Sequence, residues 1–338
     1  MSKVLVALSG GVDSTVTAYL LKKEGFDVEG VYMKLHSIEK EHQKSLENIE
    51  KISKYLDIKV HILDRKELFA KKVYNPFIKS YIKGETPNPC VVCNRYLKFG
   101  ELINAADEIG AKFFATGHYV KCDGKFLYEA KDKSKDQSYF LFNIKKEVLP
   151  KIVFPLGDIY KEEVKKIASS IEPLKEIATQ KESSEICFVE NSYIDILKEH
   201  TDVDMPGVVI DKEGNVIGEH RGYMHYTIGK RKGFMVYGAH EPHYVLKIIP
   251  QKNQIVVGKK SDLEVKRVSL KDLNMFIEKK EFESQIKLRY RMPKALSFVK
   301  IEGSEAKIKM HEGVFGIAKG QAGVFYEEDK VLGGGWIQ

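Results

Sequence analysis

At 338 residues the chain is long for one hydrophobic core, so two or three domains are expected. Charged residues make up 30% and hydrophobic ones 43%, a balance that argues against a disordered chain; no apolar run nears the roughly 18 to 20 residues of a bilayer span. A formal charge of +7 permits a polyanionic partner without requiring one, and four cysteines are too few for a secreted disulfide framework. With no signal-peptide pattern at the N-terminus, a cytoplasmic protein is expected.

In chain order, "KVLVAL", "DVEGVYM", "IKVHIL" and "AKFFATG" read as short strands. Between them lie helical segments such as 41–56, where Leu46, Ile49, Ile52 and Leu56 recur at helical spacing. This alternation predicts a parallel sheet with helices on both faces. "CDGK" at 122–125 reads as the turn of an appended hairpin, and 161–170 as a further helix. Near Met205 the pattern changes to strand pairs joined by Gly, Asn or Pro turns, with a joint near Ser261. We therefore expect an α/β protein: a doubly wound parallel-sheet domain with a helical extension over 1–200, a small β-rich domain over 201–261, and a second one over 262–338.

The first strand runs into Ser9-Gly10-Gly11-Val12-Asp13-Ser14 and then a helix. No lysine follows as in a Walker loop, and no G-x-G-x-x-G is present at this turn. The two glycines let backbone N–H groups approach phosphate oxygens, the helix start adds donors, and the serines add hydroxyls. Asp13 would repel a bare phosphate, so it reads as a helix cap or as acting through Mg²⁺. An ordinary capped strand-to-helix turn is the plainer alternative.

Cys90 and Cys93 form a CxxC after "TPNP", whose prolines rigidify a loop; neither a second CxxC nor a His pair completes a zinc site. Cys187, in apolar "ICF", reads as a small core hydrophobe or as a reactive thiol.

"SGGVDS" after a first strand resembles the motif of the PP-loop ATP pyrophosphatases, which split ATP between the α and β phosphates and transfer AMP to a substrate oxygen. Further strings resemble the tRNA-specific 2-thiouridylase family, in that family's order along nearly the whole chain: "GVYMK" at 30–34, "GETPNPCVVCNRYLKF" at 84–99, "ATGHYV" at 115–120, "KDQSYFLF" at 135–142, "FPLGDIYKEEV" at 154–164, "EICFV" at 185–189, "HYTIGKRKG" at 225–233 and "LRYR" at 288–291.

The resemblance implies ATP with Mg²⁺ as cosubstrate, bound at Ala7, Leu8, Ser9, Gly10, Gly11, Val12, Asp13, Ser14, Met33 and Gly117. It implies Cys93 as nucleophile and Cys187 as persulfide carrier, with a Cys93–Cys187 disulfide left after turnover. It further implies tRNA contacts from Asn88, Pro89, Cys90, Lys135, Asp136, Gln137, Arg289 and Tyr290, the last domain being a tRNA-binding β-barrel. The expected reaction adenylates O2 of the wobble uridine, position 34, of Lys-, Glu- and Gln-type tRNAs; sulfur from a persulfide donor protein then gives 2-thiouridine, AMP and pyrophosphate. No membrane partner is expected.

Cys90, where other members carry Asp, opens an alternative in which Cys90, Cys93 and Cys187 hold a [4Fe-4S] cluster. Glu182 and Lys230 also depart from the family's usual Asp and Gln. Two rival readings are a PP-loop enzyme adenylating a small molecule and a non-catalytic RNA-binding module switched by ATP. On residues alone, Met33 and Gly117 also read as core and turn positions, Asp136 as a helix cap, and the basic run around Arg289 as a solvated edge strand.

Overall fold

The computed structural model describes residues 1–178, 186–189 and 191–338, so Glu182 and Glu185 lie outside the described residues. The chain divides into two compact units: Met1–Val73, Cys90–Ser184 and Glu327–Gly333 form the first, Tyr74–Pro89, Glu185–Tyr326 and Gly334–Gln338 the second.

In the first unit, β1 (Lys3–Ala7), β2 (Asp27–Lys34), β3 (Val60–Asp64), β4 (Phe113–Ala115) and the short β7 (Ile152–Val153) form a parallel sheet in the order β3-β2-β1-β4-β7. β1 is central, and Val4, Leu5 and Val6 are all buried because both faces of a central parallel strand are covered. Side chains alternate along the strand, so Val4 and Val6 join one core with α1 (Val12–Lys23), α2 (Glu39–Leu56) and the helix Lys161–Ser170. On α2 the residues Ile49, Ile52 and Leu56 carry the buried stripe, each contributing about 1.5 to 3 kcal/mol on full burial. The expected hairpin is β5 (Val120–Cys122) against β6 (Leu127–Glu129). Strand β7 has only two residues, too few for any period to announce it.

In the second unit, β8 (Gly207–Ile210), β9 (Val216–His220), β10 (Phe234–Val236), β11 (Tyr244–Ile249) and β12 (Gln254–Gly258) form a sheet in the order β10-β9-β8-β12-β11. The pairs are antiparallel except β8 with β12, which is parallel. Strands β13 (Glu264–Met275), β14 (Glu281–Lys287), β15 (Ala295–Glu302), β16 (Glu305–Phe315), β17 (Ala322–Glu327) and β18 (Lys330–Ile337) follow in the order β13-β16-β15-β14-β17-β18, the stretch Glu327–Gly333 being grouped with the first unit, and a β13–β18 pairing closes them into a six-stranded barrel. Closure leaves no bare edge.

The segment Tyr74–Pro89 belongs to this second unit although it sits between two parts of the first. Its aromatic residues account for that: Phe77 packs edge-on against Phe188 with centroids 5.2 Å apart, and Tyr81 stacks on Tyr193 at 4.2 Å. The Tyr223 hydroxyl then donates to Ile82 O at 2.7 Å. No helix among the described residues is long and apolar enough to cross a membrane.

Candidate active site

The glycine loop follows β1, which has β2 on one side and β4 on the other, so it lies where the strand order reverses. In parallel sheets that is where ligands bind. Gly10 has φ +77°, and a Cβ there would stand 2.7 Å from Ser45 O, so only glycine fits. Asn48 Nδ2 donates to Gly10 O at 3.0 Å, and the Ser14 hydroxyl donates to Gly11 O at 3.0 Å. Ser9 N donates to Ser14 Oγ at 3.1 Å. The loop is therefore tied from inside and from α2.

The cap reading of Asp13 does not hold. Gly11 is the N-cap of α1 and no side chain caps it. Asp13 instead receives Lys161 Nζ at 2.6 and 2.8 Å on its two oxygens and the Tyr119 hydroxyl at 2.8 Å. Lys161 is buried, and its ammonium lies 5.5 Å from the Tyr119 ring centroid. The lysine absent from the loop thus arrives from a helix 148 residues later and neutralises the carboxylate that would repel phosphate. Lys161 lies within the string "FPLGDIYKEEV" at 154–164, but nothing there points to Asp13; only the fold brings the two together.

Gly117 is more than a strand-end turn: a Cβ there would meet Asp13 C at 2.8 Å and Ser14 N at 2.9 Å. Met33 sits half-buried near the C-terminal end of β2, in register with Leu63 of β3. Next to Gly117, His118 is buried, its Nδ1 2.7 Å from Thr116 Oγ1 and its Nε2 3.5 Å from Lys98 Nζ. Burial first, and the Lys98 charge second, push its pKa well below the usual imidazole value.

The stretch 135–137 is connected to the same place. Gln137 Oε1 accepts from Tyr119 N at 3.0 Å, and Gln137 N donates to Tyr119 O at 2.9 Å. Asp136 is 3% exposed and its carboxylate accepts from Ala130 N, Ser138 N and the Ser138 hydroxyl. It faces inward and shapes the loop, whereas Lys135 is half-buried.

Cys93 is 7% exposed and ends the helix Pro89–Cys93, which continues as a π-helix over Asn94–Glu101. π-Turns of this kind are frequent at functional sites. Cys90 is half-buried on the same helix. Cys122 is half-buried in the hairpin, its thiol 3.7 Å from Leu149 O; burial pushes its pKa up, and its place is structural. None of the four cysteines closes a disulfide.

In the second unit, Cys187 is exposed, which overturns its reading as a core hydrophobe. Its neighbour Phe188 is the buried anchor, packed on Tyr74 and Phe77. Asn88 and Pro89 are both buried. Arg289 and Tyr290 are half-buried in the turn after β14 rather than on an edge strand, and Arg289 Nη2 donates to Ile228 O at 3.1 Å, joining two of the basic motifs. Lys230 Nζ donates to His225 O at 2.7 Å, and burial lowers its pKa. Lys287 and Lys294 lie 5.4 and 5.0 Å from the Tyr326 ring centroid.

The chain matches three family models: a tRNA methyl transferase HUP domain over 2–191, a tRNA methyl transferase PRC-barrel domain over 194–259 and an aminomethyltransferase β-barrel domain over 263–337. It is similar to the tRNA-specific 2-thiouridylase of a Nitratiruptor species, 63% identical with 99% of both chains covered. The enzyme so named from Sulfurimonas denitrificans is 55% identical, covering 99% of this chain and 98% of that one. That from Campylobacter jejuni is 52% identical, covering 99% and 100%. With such identity along the entire length, and with the glycine loop at the switch point of the sheet, the chain belongs to the ATP-using tRNA-specific 2-thiouridylase family.

Proposed function

We propose that this protein is a tRNA sulfurtransferase that makes 2-thiouridine at the wobble position. The observation that carries the reading is the glycine loop with Asp13 neutralised by Lys161, on a chain akin to 2-thiouridylases from end to end. Methyl transfer, which two of the family descriptions name, needs no phosphate loop, so the relatives' names suit the site better.

In the first stage, backbone donors of Ala7 to Ser14 hold the phosphates, while Met33 and Gly117 line the nucleotide side. Mg²⁺ accompanying the ATP would shield the phosphates, with Asp13 the carboxylate at hand. Uridine O2 attacks the α-phosphorus and pyrophosphate leaves. In the second stage, Cys187 carries a terminal sulfur received from a persulfide donor protein. Cys93 thiolate attacks the Cys187-bound sulfur; a Cys93–Cys187 disulfide forms and hydrosulfide is expelled. Hydrosulfide adds at C2, AMP departs with the former O2, and a thiol reductant restores both cysteines. Alternatively the terminal persulfide sulfur attacks C2 directly and AMP departs; Cys93 thiolate then attacks the Cys187 sulfur, cleaving the S–S bond to give the same 2-thiouridine and the same disulfide. The exposure of Cys187 suits loading by a donor protein, and the burial of Cys93 suits a thiol held in one place.

Lys-, Glu- and Gln-type tRNAs in the cytoplasm are the expected substrates, with 1–200 as catalytic domain, 201–261 as the central domain and 262–338 as the tRNA-binding barrel. Asn88, Pro89 and Cys90 face the target base in this reading, the stretch Lys135, Asp136 and Gln137 contacts the tRNA, and Arg289 and Tyr290 offer phosphate contact and stacking. Among the described residues no three His, Cys, Asp or Glu side chains are grouped to hold a metal ion.

The test is nucleoside mass analysis of unmodified tRNA after incubation with Mg-ATP and a persulfide source, using cluster-free and anaerobically iron-reconstituted protein in parallel. The reading expects 2-thiouridine from cluster-free protein and none from Cys93→Ala, which still binds tRNA. Product from the iron-loaded form alone would reinstate the cluster. ATP cleaved to AMP without 2-thiouridine would favour a small-molecule adenylating enzyme.

A further inference from the structure

The stretch 86–89 is short of donors, because Pro87 and Pro89 carry no N–H. One side chain of the barrel domain takes its carbonyls: Gln321 Nε2, just ahead of β17, donates to Thr86 O at 3.0 Å and to Pro87 O at 3.2 Å. Two residues earlier, Lys319 O accepts from Thr86 N at 2.9 Å, so the turn 319–321 grips Thr86 by both its donor and its acceptor. Between them Gly320 has φ +86°, and a Cβ there would stand 2.9 Å from Thr86 O. The approach is that close because glycine permits it. From Pro87 the chain passes directly to Asn88 and Pro89.

We propose that Gln321 is a positioning residue of the thiolation reaction, its amide fixing the Thr86 and Pro87 carbonyls and with them the pose of Asn88 and Pro89 toward the target base. The proposal rests on the function given above. A carboxamide suits the task, since one nitrogen supplies two hydrogens to two acceptors that the prolines leave without local partners. Small errors of pose are costly in rate: a displacement of about 1 Å can cost on the order of 100-fold.

The experiment compares the full-length protein with Gln321→Ala, Gln321→Glu and Gln321→Lys. Single-turnover 2-thiouridine formation, tRNA affinity, Tm and amide exchange of the 84–92 peptide are measured for each. Glutamate turns an acceptor toward two carbonyls, whereas lysine restores donors. The expected result is a rate about tenfold lower in the alanine variant, lower again in the glutamate variant and largely recovered in the lysine variant. Affinity for tRNA stays within about twofold, and exchange quickens in the alanine and glutamate variants only. A wild-type rate in the alanine or glutamate variant overturns the proposal. So does a fall shared by all three that simply follows Tm. If the unaltered protein forms no 2-thiouridine, the functional reading fails instead, and the exchange pattern alone decides whether Gln321 holds the loop.

Discussion

The two units hold the residues of their motifs differently. In the first, they are wholly or half buried and committed to partners: Lys161 to Asp13, Gln137 to the Tyr119 backbone, Asp136 to three donors, His118 between Thr116 and Lys98. In the second, Cys187 is exposed and Lys287 and Lys294 stand over the Tyr326 ring, while Asn88 and Pro89 are the buried exception. The contrast separates two tasks. Charge developing on phosphate needs donors fixed beforehand, while a long polyanion and a sulfur donor need surfaces they can reach.

The largest expected effect breaks that contrast at one point. Cys187→Ser should abolish 2-thiouridine formation, below about 10⁻³ of wild type, although the residue is exposed and its loss should leave Tm unchanged. Mass analysis of the tRNA beside a thermal melt checks both. Next comes Lys161→Met, which leaves Asp13 charged within the phosphate loop. ATP cleavage should fall on the order of 100-fold, and Lys161→Met with Asp13→Asn should recover part of it, measured as pyrophosphate release.

A smaller effect sharpens the buried side of the comparison. His118 is held neutral in the fold, with its pKa well below the ordinary 6.5, so the unfolded chain takes up a proton that the folded one refuses. Its contribution to stability is full above pH 6.5 and is lost as pH falls toward the folded value. Denaturant titrations should show stability declining on the acid side of 6.5, and His118→Gln should flatten that decline. The smallest effect belongs to the outer face. Lys287→Ala or Lys294→Ala should weaken tRNA binding only a few-fold and, if each meets a phosphate, reduce the salt slope by about 1. A loss as steep as that of Lys161→Met would erase the distinction between the units.

Features carried by neighbouring residues were legible in the sequence. The strands β1 to β4, the stripe on α2, the hairpin at 122–125 and the glycine loop all follow from local periodicity or backbone need. What stayed hidden was made by pairing over distance. Lys161 meets Asp13 only through packing of its helix against α1, and Gln321 meets Thr86 across 235 residues. The membership of Tyr74–Pro89 in the second unit depends on partners such as Phe188 and Tyr193, which no short window contains. Cys187 was ambiguous because "ICF" is apolar throughout, and the structure divides the run by burying Phe188 and leaving the thiol outside.

Gly117 rests on the main chain of Asp13 and Ser14, and the side-chain atom that also comes near, the Asp13 Cβ, is one that every residue but glycine carries. Such a joint is blind to sequence in every respect but one: a methyl group must be missing. Mutational drift in this part of the floor would therefore pass unnoticed by the fold until it struck that single atom. New substrate preferences are free to evolve in the surrounding walls, and the glycine loop can be inherited unchanged beneath them.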